Sequence, residues 1–394
     1  MTATIASLCC IVWVYLLAGR GGFWRAQQRD DTLQSTFPED MHWPRVVAVM
    51  PARDEAMVIG ETIGSLLRQD YRGSFAVIVV DDHSSDGTAA AAIQAAAAGS
   101  ASGRVTVLAA PSLPDGWTGK LWAMHHGASH TQALPEPPDY LLFADADTHY
   151  ADDTLTELVR RTVRDRLVLT SLMARLHCQS FAERALIPAF IFFFQMLYPF
   201  AWVNRADRAT AAAAGGCMLV HCRSLQATGG IEAIRGELID DCALARLLKD
   251  HGPIWLGLTE RVHSVRAYAS LAEMRRMIVR CAYAQLRFSP WVLAGATAAM
   301  VITYLAPPAL ALFGSGAARL LGALAWAQMA LALQPTLRLY AVSPWWGLAL
   351  PAIAATYVVF MLDSAYQHRR GRGGEWKGRV HRGTSAREAS RPSG

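Results

Sequence analysis

Two pairs of aspartates are the residues of this sequence best placed to do chemistry. Asp81 and Asp82 come directly after the apolar run that ends at Val80, and Asp145 and Asp147 follow a second such run. Each pair lies where a buried parallel strand is predicted to end, the edge at which open α/β sheets bind ligands. Carboxylates there would repel a phosphate unless a divalent cation lay between them. The pattern therefore predicts a metal-bridged nucleotide diphosphate.

The Asp145-Ala146-Asp147 segment is a D-x-D pattern at a predicted turn. Both carboxylates can approach one Mg²⁺ or Mn²⁺ there, directly or through water. The cation would act as a Lewis acid and neutralise the diphosphate leaving group as its bond breaks. Helix capping is the alternative role for two aspartates in a loop. Their position after a predicted strand favours the metal.

Asp82 and Lys120 are predicted to contact other parts of the same nucleotide. The Asp82 carboxylate can accept hydrogen bonds from a nucleobase imide or a ribose hydroxyl, although capping of the next helix is an alternative. Gly119 and Lys120 stand at a predicted helix start, where backbone amides and a cation can bind phosphate oxygens. The alternative for Lys120 is an exposed surface lysine.

Asp240 and Asp241 precede an amphipathic segment and form a third acidic site. One of these carboxylates could remove a proton from an acceptor hydroxyl. The preference for acidic residues at helix N-termini is the alternative explanation. Further along the chain, the arginines near Arg280 crowd the segment before a long apolar run, and they are predicted to hold the diphosphate or to face lipid phosphates.

Strands and helices alternate around these residues, which predicts a doubly wound α/β layer. The predicted strands lie at 44–49, 76–80, 105–108 and 140–144. Helices are expected at 57–68 and 88–98, with two more that begin near Lys120 and at Asp152.

Long apolar runs flank this part of the chain. The chain has 394 residues, of which 53% are hydrophobic. Uncharged or nearly uncharged runs occupy 3–19, 291–313, 319–337 and 345–362, close to the length that crosses a hydrocarbon core of about 30 Å. We therefore predict a membrane-tethered enzyme with these parts: an anchor at 1–20, a soluble domain at 44–270, an interfacial segment at 271–289, membrane helices at 290–365 and a basic cytoplasmic tail at 366–394.

Charge places the predicted domain in the cytoplasm. Arg20 and Arg25 follow the first run, which lacks the basic n-region and cleavage site of a secretory signal. Three later spans would put the basic tail on the opposite side, so the sequence leaves the number of spans open. The run at 291–313 contains Pro307 and Pro308 and is alternatively re-entrant or interfacial.

The apolar segment at 185–204 has three possible roles. Pro188 and Pro199 are expected to break a helix there, which favours an interfacial segment near the substrate entrance over a fourth span or plain core. The seven cysteines include no Cys-x-x-Cys pair, which fits a reducing compartment. No basic stripe crosses the predicted domain, so nucleic acid is not an expected partner.

Together, these motifs resemble the family 2 glycosyltransferases of the GT-A fold, in which a Rossmann-like, mainly parallel sheet carries the active site. Shorter matches resemble the hopene-associated glycosyltransferase subfamily. The segments that carry both resemblances are Pro51-Ala52-Arg53-Asp54-Glu55, Val80-Asp81-Asp82-His83-Ser84, Gly116-Trp117-Thr118-Gly119-Lys120-Leu121-Trp122-Ala123, Asp145-Ala146-Asp147, Asp240-Asp241, Tyr283-Ala284-Gln285-Leu286-Arg287 and Gly371-Arg372-Gly373-Gly374-Glu375-Trp376-Lys377-Gly378-Arg379.

The resemblance implies an inverting transfer from a nucleotide-activated sugar, a UDP-sugar by preference, to a lipid hydroxyl in hopanoid biosynthesis. It also implies a multi-pass protein of the bacterial inner membrane whose catalytic domain faces the cytoplasm. Residue by residue, it implies that Asp241, beside Asp240, is the general base. It also implies that Asp145 and Asp147 bind the metal and the diphosphate. The remaining donor-binding residues that it implies are Pro51, Ala52, Glu55, Asp82, Lys120 and Arg280.

Two departures from the family pattern bear on function. Asp54 stands where the family commonly has Asn, and the Gln-x-x-Arg-Trp signature of processive synthases is missing from the sequence. A single-sugar transfer is therefore expected. Transfer to polyprenyl phosphate and a catalytically silent scaffold for lipid biosynthesis remain as alternatives, whereas a nicotinamide dehydrogenase would need a G-x-G-x-x-G turn after the first strand.

Overall fold

A computed structural model describes residues 2–32, 42–98 and 102–374 of the chain. The described residues divide into two compact units. The sheet unit consists of 28–176 and 203–266, and the helical unit consists of the chain up to 27, 177–202 and 267–374. The basic tail lies outside the described residues from 375 onward.

The sheet unit is built on one mixed eight-stranded sheet with the order β3-β2-β1-β4-β7-β6-β8-β5. The pairs β3-β2, β2-β1, β1-β4 and β6-β8 are parallel, and the pairs β4-β7, β7-β6 and β8-β5 are antiparallel. The strands are β1 Val46–Ala52, β2 Phe75–Asp81, β3 Val105–Ala109, β4 Tyr140–Ala144, β5 Thr148–Tyr150, β6 Leu169–Arg175, β7 Cys217–His221 and β8 Ile254–Ser264.

Helices cover both faces of this sheet. The helices of the unit are α2 Ile59–Leu67, α3 Thr88–Ala98, α4 Gly119–Gln132, α5 Thr154–Arg164, α8 Cys222–Ala227 and α9 Asp240–Lys249. The even residues of β1, such as Ala48 and Met50, share a buried core with Ile63 of α2 and Leu158 of α5. On the other face, α4 approaches so closely that a Cβ at Gly127 would lie 2.5 Å from Val49 Cγ1. Alternation along the strands thus gives each face its own helical layer.

The predicted strands and helices of the first half are confirmed, with β1 to β4 parallel and each followed by a helix or a turn. The second half departs from a doubly wound, mainly parallel sheet. Strand β7 lies antiparallel between β4 and β6, and β5 pairs antiparallel with β8. These pairings join strands far apart in the chain, so no hairpin-turn signal in the sequence could predict them.

The helical unit contains the apolar segments. Its helices are α1 Thr2–Val14, α6 Phe181–Leu197, α7 Phe200–Val203 (whose last residue belongs to the sheet unit), α10 Leu271–Gln285, α11 Pro290–Met300, α12 Ala306–Phe313, α13 Gly316–Leu339 and α14 Leu350–Arg369. By length and composition alone, the described helices long and apolar enough to cross a membrane are Thr2–Gly19, Phe181–Val203, Pro290–Phe313 and Gly316–Leu339.

The prediction that Pro188 breaks the segment at 185–204 is wrong, because α6 continues through Pro188. A capping box between Ser180 and Glu183 fixes the first turn of this helix, and residues on both sides of the proline, including Ile187 and Phe192, are fully buried. Packing therefore outweighs the lost hydrogen bond. The run expected at 345–362 lies in α14 only from Leu350 onward, and this helix is not among the candidate spans of the described residues.

Candidate active site

The loops after β1 and β2 are tied to each other by side chains. The Asp54 amide donates to Ser84 Oγ at 3.0 Å, and the Asp54 carboxylate accepts from the Ser85 amide at 2.8 Å. Thr88 Oγ1 accepts from the Glu55 amide at 2.8 Å. Asp54 has φ +50°, a left-handed conformation in which Asp is among the better-tolerated residues. Asp54 therefore organises this double loop as a hydrogen-bond acceptor.

Asp82 lies at the base of this double loop and is fully buried. Its amide donates to Ala52 O at 2.8 Å, and its Oδ2 lies 3.6 Å from Arg53 Nη1. Pro51 and Ala52, predicted donor residues, are the last two residues of β1 and are also buried. The Asp82 carboxylate is closed to solvent, and its nucleoside role stays a prediction.

Lys120 joins two of the three predicted acidic sites. Its Nζ lies 3.0 Å from Asp145 Oδ1, at the end of β4, and 3.0 Å from Asp240 Oδ2, in the first turn of α9. Thr118 caps α4 by accepting from the Leu121 amide, which places Lys120 in the first turn of that helix. Burial lowers the pKa of Lys120, but the surrounding aspartates outweigh it and raise the pKa well above its usual range. Lys120 is therefore a permanent cation.

Asp241 is held by backbone amides beside this lysine. Its Oδ2 accepts from the Gly215 amide at 3.0 Å, and its Oδ1 accepts from the Cys242 amide at 2.7 Å. Burial and the neighbouring Asp240 raise the pKa of Asp241 to about 6, although Lys120 and the two amides act in the opposite direction. A side chain at Gly215 would lie 3.2 Å from Lys120 Nζ, so this glycine keeps the space beside both groups open.

Asp147 and Glu55 are joined by an arginine that the sequence analysis missed. Arg266 Nε donates to Asp147 Oδ2 at 2.5 Å, and Arg266 Nη2 donates to both Glu55 oxygens at 2.6 and 2.7 Å. Burial lowers the pKa of Arg266, but Asp147 and Glu55 raise it by more, so the pKa lies above its usual range and the guanidinium stays charged. Arg266 follows β8, whose carboxyl end was not among the predicted strand ends.

The site residues of the sheet unit fit a hard divalent cation by their chemistry. Six carboxylates (Glu55, Asp82, Asp145, Asp147, Asp240 and Asp241) are set against three cations (Arg53, Lys120 and Arg266), which leaves an excess of negative charge. Within the described ranges, no group of three or more His, Cys, Asp or Glu side chains could hold a metal alone. Mg²⁺ sites commonly use one or two carboxylates and complete their ligands with substrate phosphates and water. Asp145 and Asp147 suffice for such a site.

The structure thus brings Lys120, Asp145 and Asp240 into direct contact, with Asp241 beside them, and joins Glu55 to Asp147. Arg280 lies on α10 of the helical unit, and its predicted role in diphosphate binding stays a prediction.

Part of the chain is similar to a known protein family. Residues 47–229 match the family model described as "Glycosyl transferase family 2". The matched range includes the ends of β1, β2 and β4 and the residues Asp82, Lys120, Asp145 and Asp147. No curated protein matches the sequence.

Among solved structures, the chain is similar to a mannosyltransferase from Pyrobaculum calidifontis in complex with GDP-Man and Mn²⁺. The TM-score is 0.54 at 20% identity, over 94% of this chain and 99% of that chain. The likeness shows a shared GT-A-like fold. Similarity is lower to mannosyl-3-phosphoglycerate synthase from Rubrobacter xylanophilus (TM-score 0.40, 19% identity, 62% of this chain and 73% of that chain). It is equally low to glucosyl-3-phosphoglycerate synthase from Mycobacterium tuberculosis in complex with Mg²⁺ and uridine-diphosphate (0.40, 17%, 62% and 79%).

Proposed function

We propose that this protein is an inverting glycosyltransferase that moves a single sugar from a nucleotide-sugar, a UDP-sugar in the first instance, to the hydroxyl group of a membrane lipid. The observation that carries the proposal is the position of Lys120, 3.0 Å from both Asp145 and Asp240. This contact sets the D-x-D residues that would face the donor diphosphate beside the Asp240-Asp241 pair that would face the acceptor. Donor and acceptor chemistry then meet within one site.

The proposed reaction is a single displacement at the anomeric carbon. The acceptor oxygen forms a bond to that carbon as the bond to the diphosphate oxygen breaks, and the nucleoside diphosphate leaves. Asp241 accepts the proton of the acceptor hydroxyl, a role suited to a carboxylate whose pKa is raised to about 6. The positive charge of Lys120 would stabilise the negative charge of the diphosphate as it leaves. A divalent cation on Asp145 and Asp147 would supply further Lewis-acid neutralisation of the diphosphate.

A lipid acceptor is supported by the composition of the helical unit. Its apolar helices include four long enough to span a bilayer. Large apolar side chains on it, such as Trp291, Phe313 and Trp345, are more than 70% exposed. Such exposure is typical of surfaces that face lipid or a partner. We propose attachment to the bacterial inner membrane with the sheet unit in the cytoplasm, and hopanoid polyols as the acceptors to test first.

The test is sugar transfer from UDP-sugars and GDP-mannose to extracted membrane lipids by the full chain and by Asp241→Asn. The substitution keeps the shape of the side chain and removes the base, so turnover should fall by at least about 10²-fold. Asp250→Asn is the matched control, because Asp250 is exposed at the C-terminal end of the same helix and lies outside the site. It should transfer sugar at the wild-type rate.

Two other outcomes would overturn parts of the proposal. If Asp241→Asn keeps activity near wild type and a polyprenyl phosphate is the accepted lipid, the acceptor is a phosphate and not a hydroxyl group. An anionic phosphate needs no base. Failure of the wild-type chain to bind any nucleoside diphosphate or to transfer any sugar would indicate a scaffold instead.

A further inference from the structure

Arg266 is hydrogen-bonded to Asp147, a predicted metal ligand. Its Nε lies 2.5 Å from Asp147 Oδ2, while its Nη2 donates hydrogen bonds to both carboxylate oxygens of Glu55. The backbone supports this contact, because the Val265 amide donates to Asp147 O at 2.9 Å and the Arg266 amide donates to Ser264 Oγ at 3.3 Å. All three side chains are partly buried, with exposed fractions of 33% for Arg266, 12% for Glu55 and 19% for Asp147. The ion pair is therefore only weakly screened by water.

A divalent cation and this guanidinium compete for the same carboxylate. The guanidinium already neutralises the negative charge of Asp147 and lies 2.5 Å from its Oδ2, the space that a metal bound to this oxygen would need. A guanidinium and a dication bound side by side would also repel each other strongly in a partly buried site. Metal binding at Asp147 Oδ2 is therefore opposed by Arg266 and favoured when Arg266 releases this oxygen.

We propose that Arg266 is a positioning residue that blocks Asp147 until the donor arrives, and that then turns its guanidinium from Asp147 to the donor diphosphate. Glu55 is the pivot of this movement. Its two hydrogen bonds to Nη2 do not involve Asp147, and they can hold the arginine near the site after Nε lets go. The inference rests on the proposed function, because it takes Asp147 as a ligand of the metal diphosphate.

Thermodynamic linkage gives the proposal a measurable consequence. If the free-energy cost of breaking the Arg266–Asp147 contact opposes metal binding, Mn²⁺ alone should bind the wild-type chain weakly. Removal of the guanidinium should then strengthen that binding. The alternative explanation is that removal of any positive charge from the site strengthens Mn²⁺ binding. Such a gain would not depend on Asp147. The two explanations separate in a double-mutant cycle, because direct competition needs both partners.

The experiment measures Mn²⁺ binding, without nucleotide, from the loss of the free-ion electron paramagnetic resonance signal. The full-length wild-type chain is compared with Arg266→Gln, Asp147→Asn and the double variant. Arg29→Gln is the matched control, since Arg29 also bridges two carboxylates of the sheet unit, Asp31 and Glu260, away from the site. We expect Arg266→Gln to bind Mn²⁺ about tenfold more tightly than wild type, and we expect Asp147→Asn to abolish that gain.

Equal or weaker Mn²⁺ binding by Arg266→Gln, or a gain that persists in the double variant, would overturn the inference. So would an equal gain in Arg29→Gln. If Arg266→Gln does not fold, Arg266→Met serves in its place, because methionine is also unbranched and flexible but carries no charge. Sugar transfer by wild type is measured in parallel, so that failure of this inference alone is distinguished from failure of the proposed function.

Discussion

Asp241 has neighbours that act on its protonation in opposite directions. Burial and Asp240 favour the neutral acid, whereas Lys120 and the amides of Cys242 and Gly215 favour the carboxylate. The pKa that results, about 6, leaves Asp241 ionised but still basic at neutral pH. The lysine that contacts Asp145 thus also lowers the pKa of the proposed base.

This balance predicts an acid limb in the pH profile. Below a pH of about 6, Asp241 gains a proton, so kcat/KM should fall about tenfold for each further pH unit. The measurement is the rate of sugar transfer between pH 4.5 and 8. In Lys120→Gln the residual activity should show a limb at higher pH, because the lysine no longer lowers the pKa. A limb that stays in place in both chains would show that Asp241 is not the titrating base.

At the scale of elements, helix α4 owes its position to a glycine. Gly127 faces β1 and β2, where a Cβ would lie 2.5 Å from Val49 Cγ1 and 3.0 Å from Val80 Cγ2. Both valines are fully buried and β-branched, so neither can move aside easily. Because Lys120 is in the first turn of this helix, the close approach at Gly127 also positions the site.

We predict that Gly127→Ala lowers the free energy of unfolding by about 1–3 kcal/mol, the usual effect of overpacking. The matched control is Gly60→Ala in α2, where a Cβ meets only Ala95 Cβ at an ordinary 3.9 Å. Alanine is the better helix former, so this control should be neutral or up to about 1 kcal/mol more stable. Thermal unfolding followed by circular dichroism compares the two. Equal stability of Gly127→Ala and wild type would contradict the close packing described for α4.

Local patterns were enough to predict the first half of the sheet and which residues follow its strands. Asp82, Asp145 and Lys120 each follow a strand or begin a helix, and such positions can be recognised in the sequence. Arg266 could not be found in this way, because its partners Asp147 and Glu55 lie 119 and 211 residues away. The antiparallel placement of β7 and the continuity of α6 through Pro188 also depend on packing between distant segments, which overrides local preference.

At the scale of the whole molecule, the chain combines two kinds of structure. The sheet unit holds the acidic residues, the three cations and most of the part of the chain that matches the glycosyl transferase family 2 model. The helical unit holds the apolar helices that support the proposal of a lipid acceptor. We propose that the clustered carboxylates of the sheet unit bind a nucleoside diphosphate together with a divalent cation.

Calorimetric titration of the full-length protein with UDP, and in parallel with GDP, tests that claim most directly. We predict binding in the presence of Mn²⁺, loss of that binding when EDTA replaces the metal, and at least about tenfold weaker binding by Asp145→Asn in the presence of Mn²⁺. Binding that is the same with EDTA as with Mn²⁺, or no binding of either nucleotide, would contradict the account.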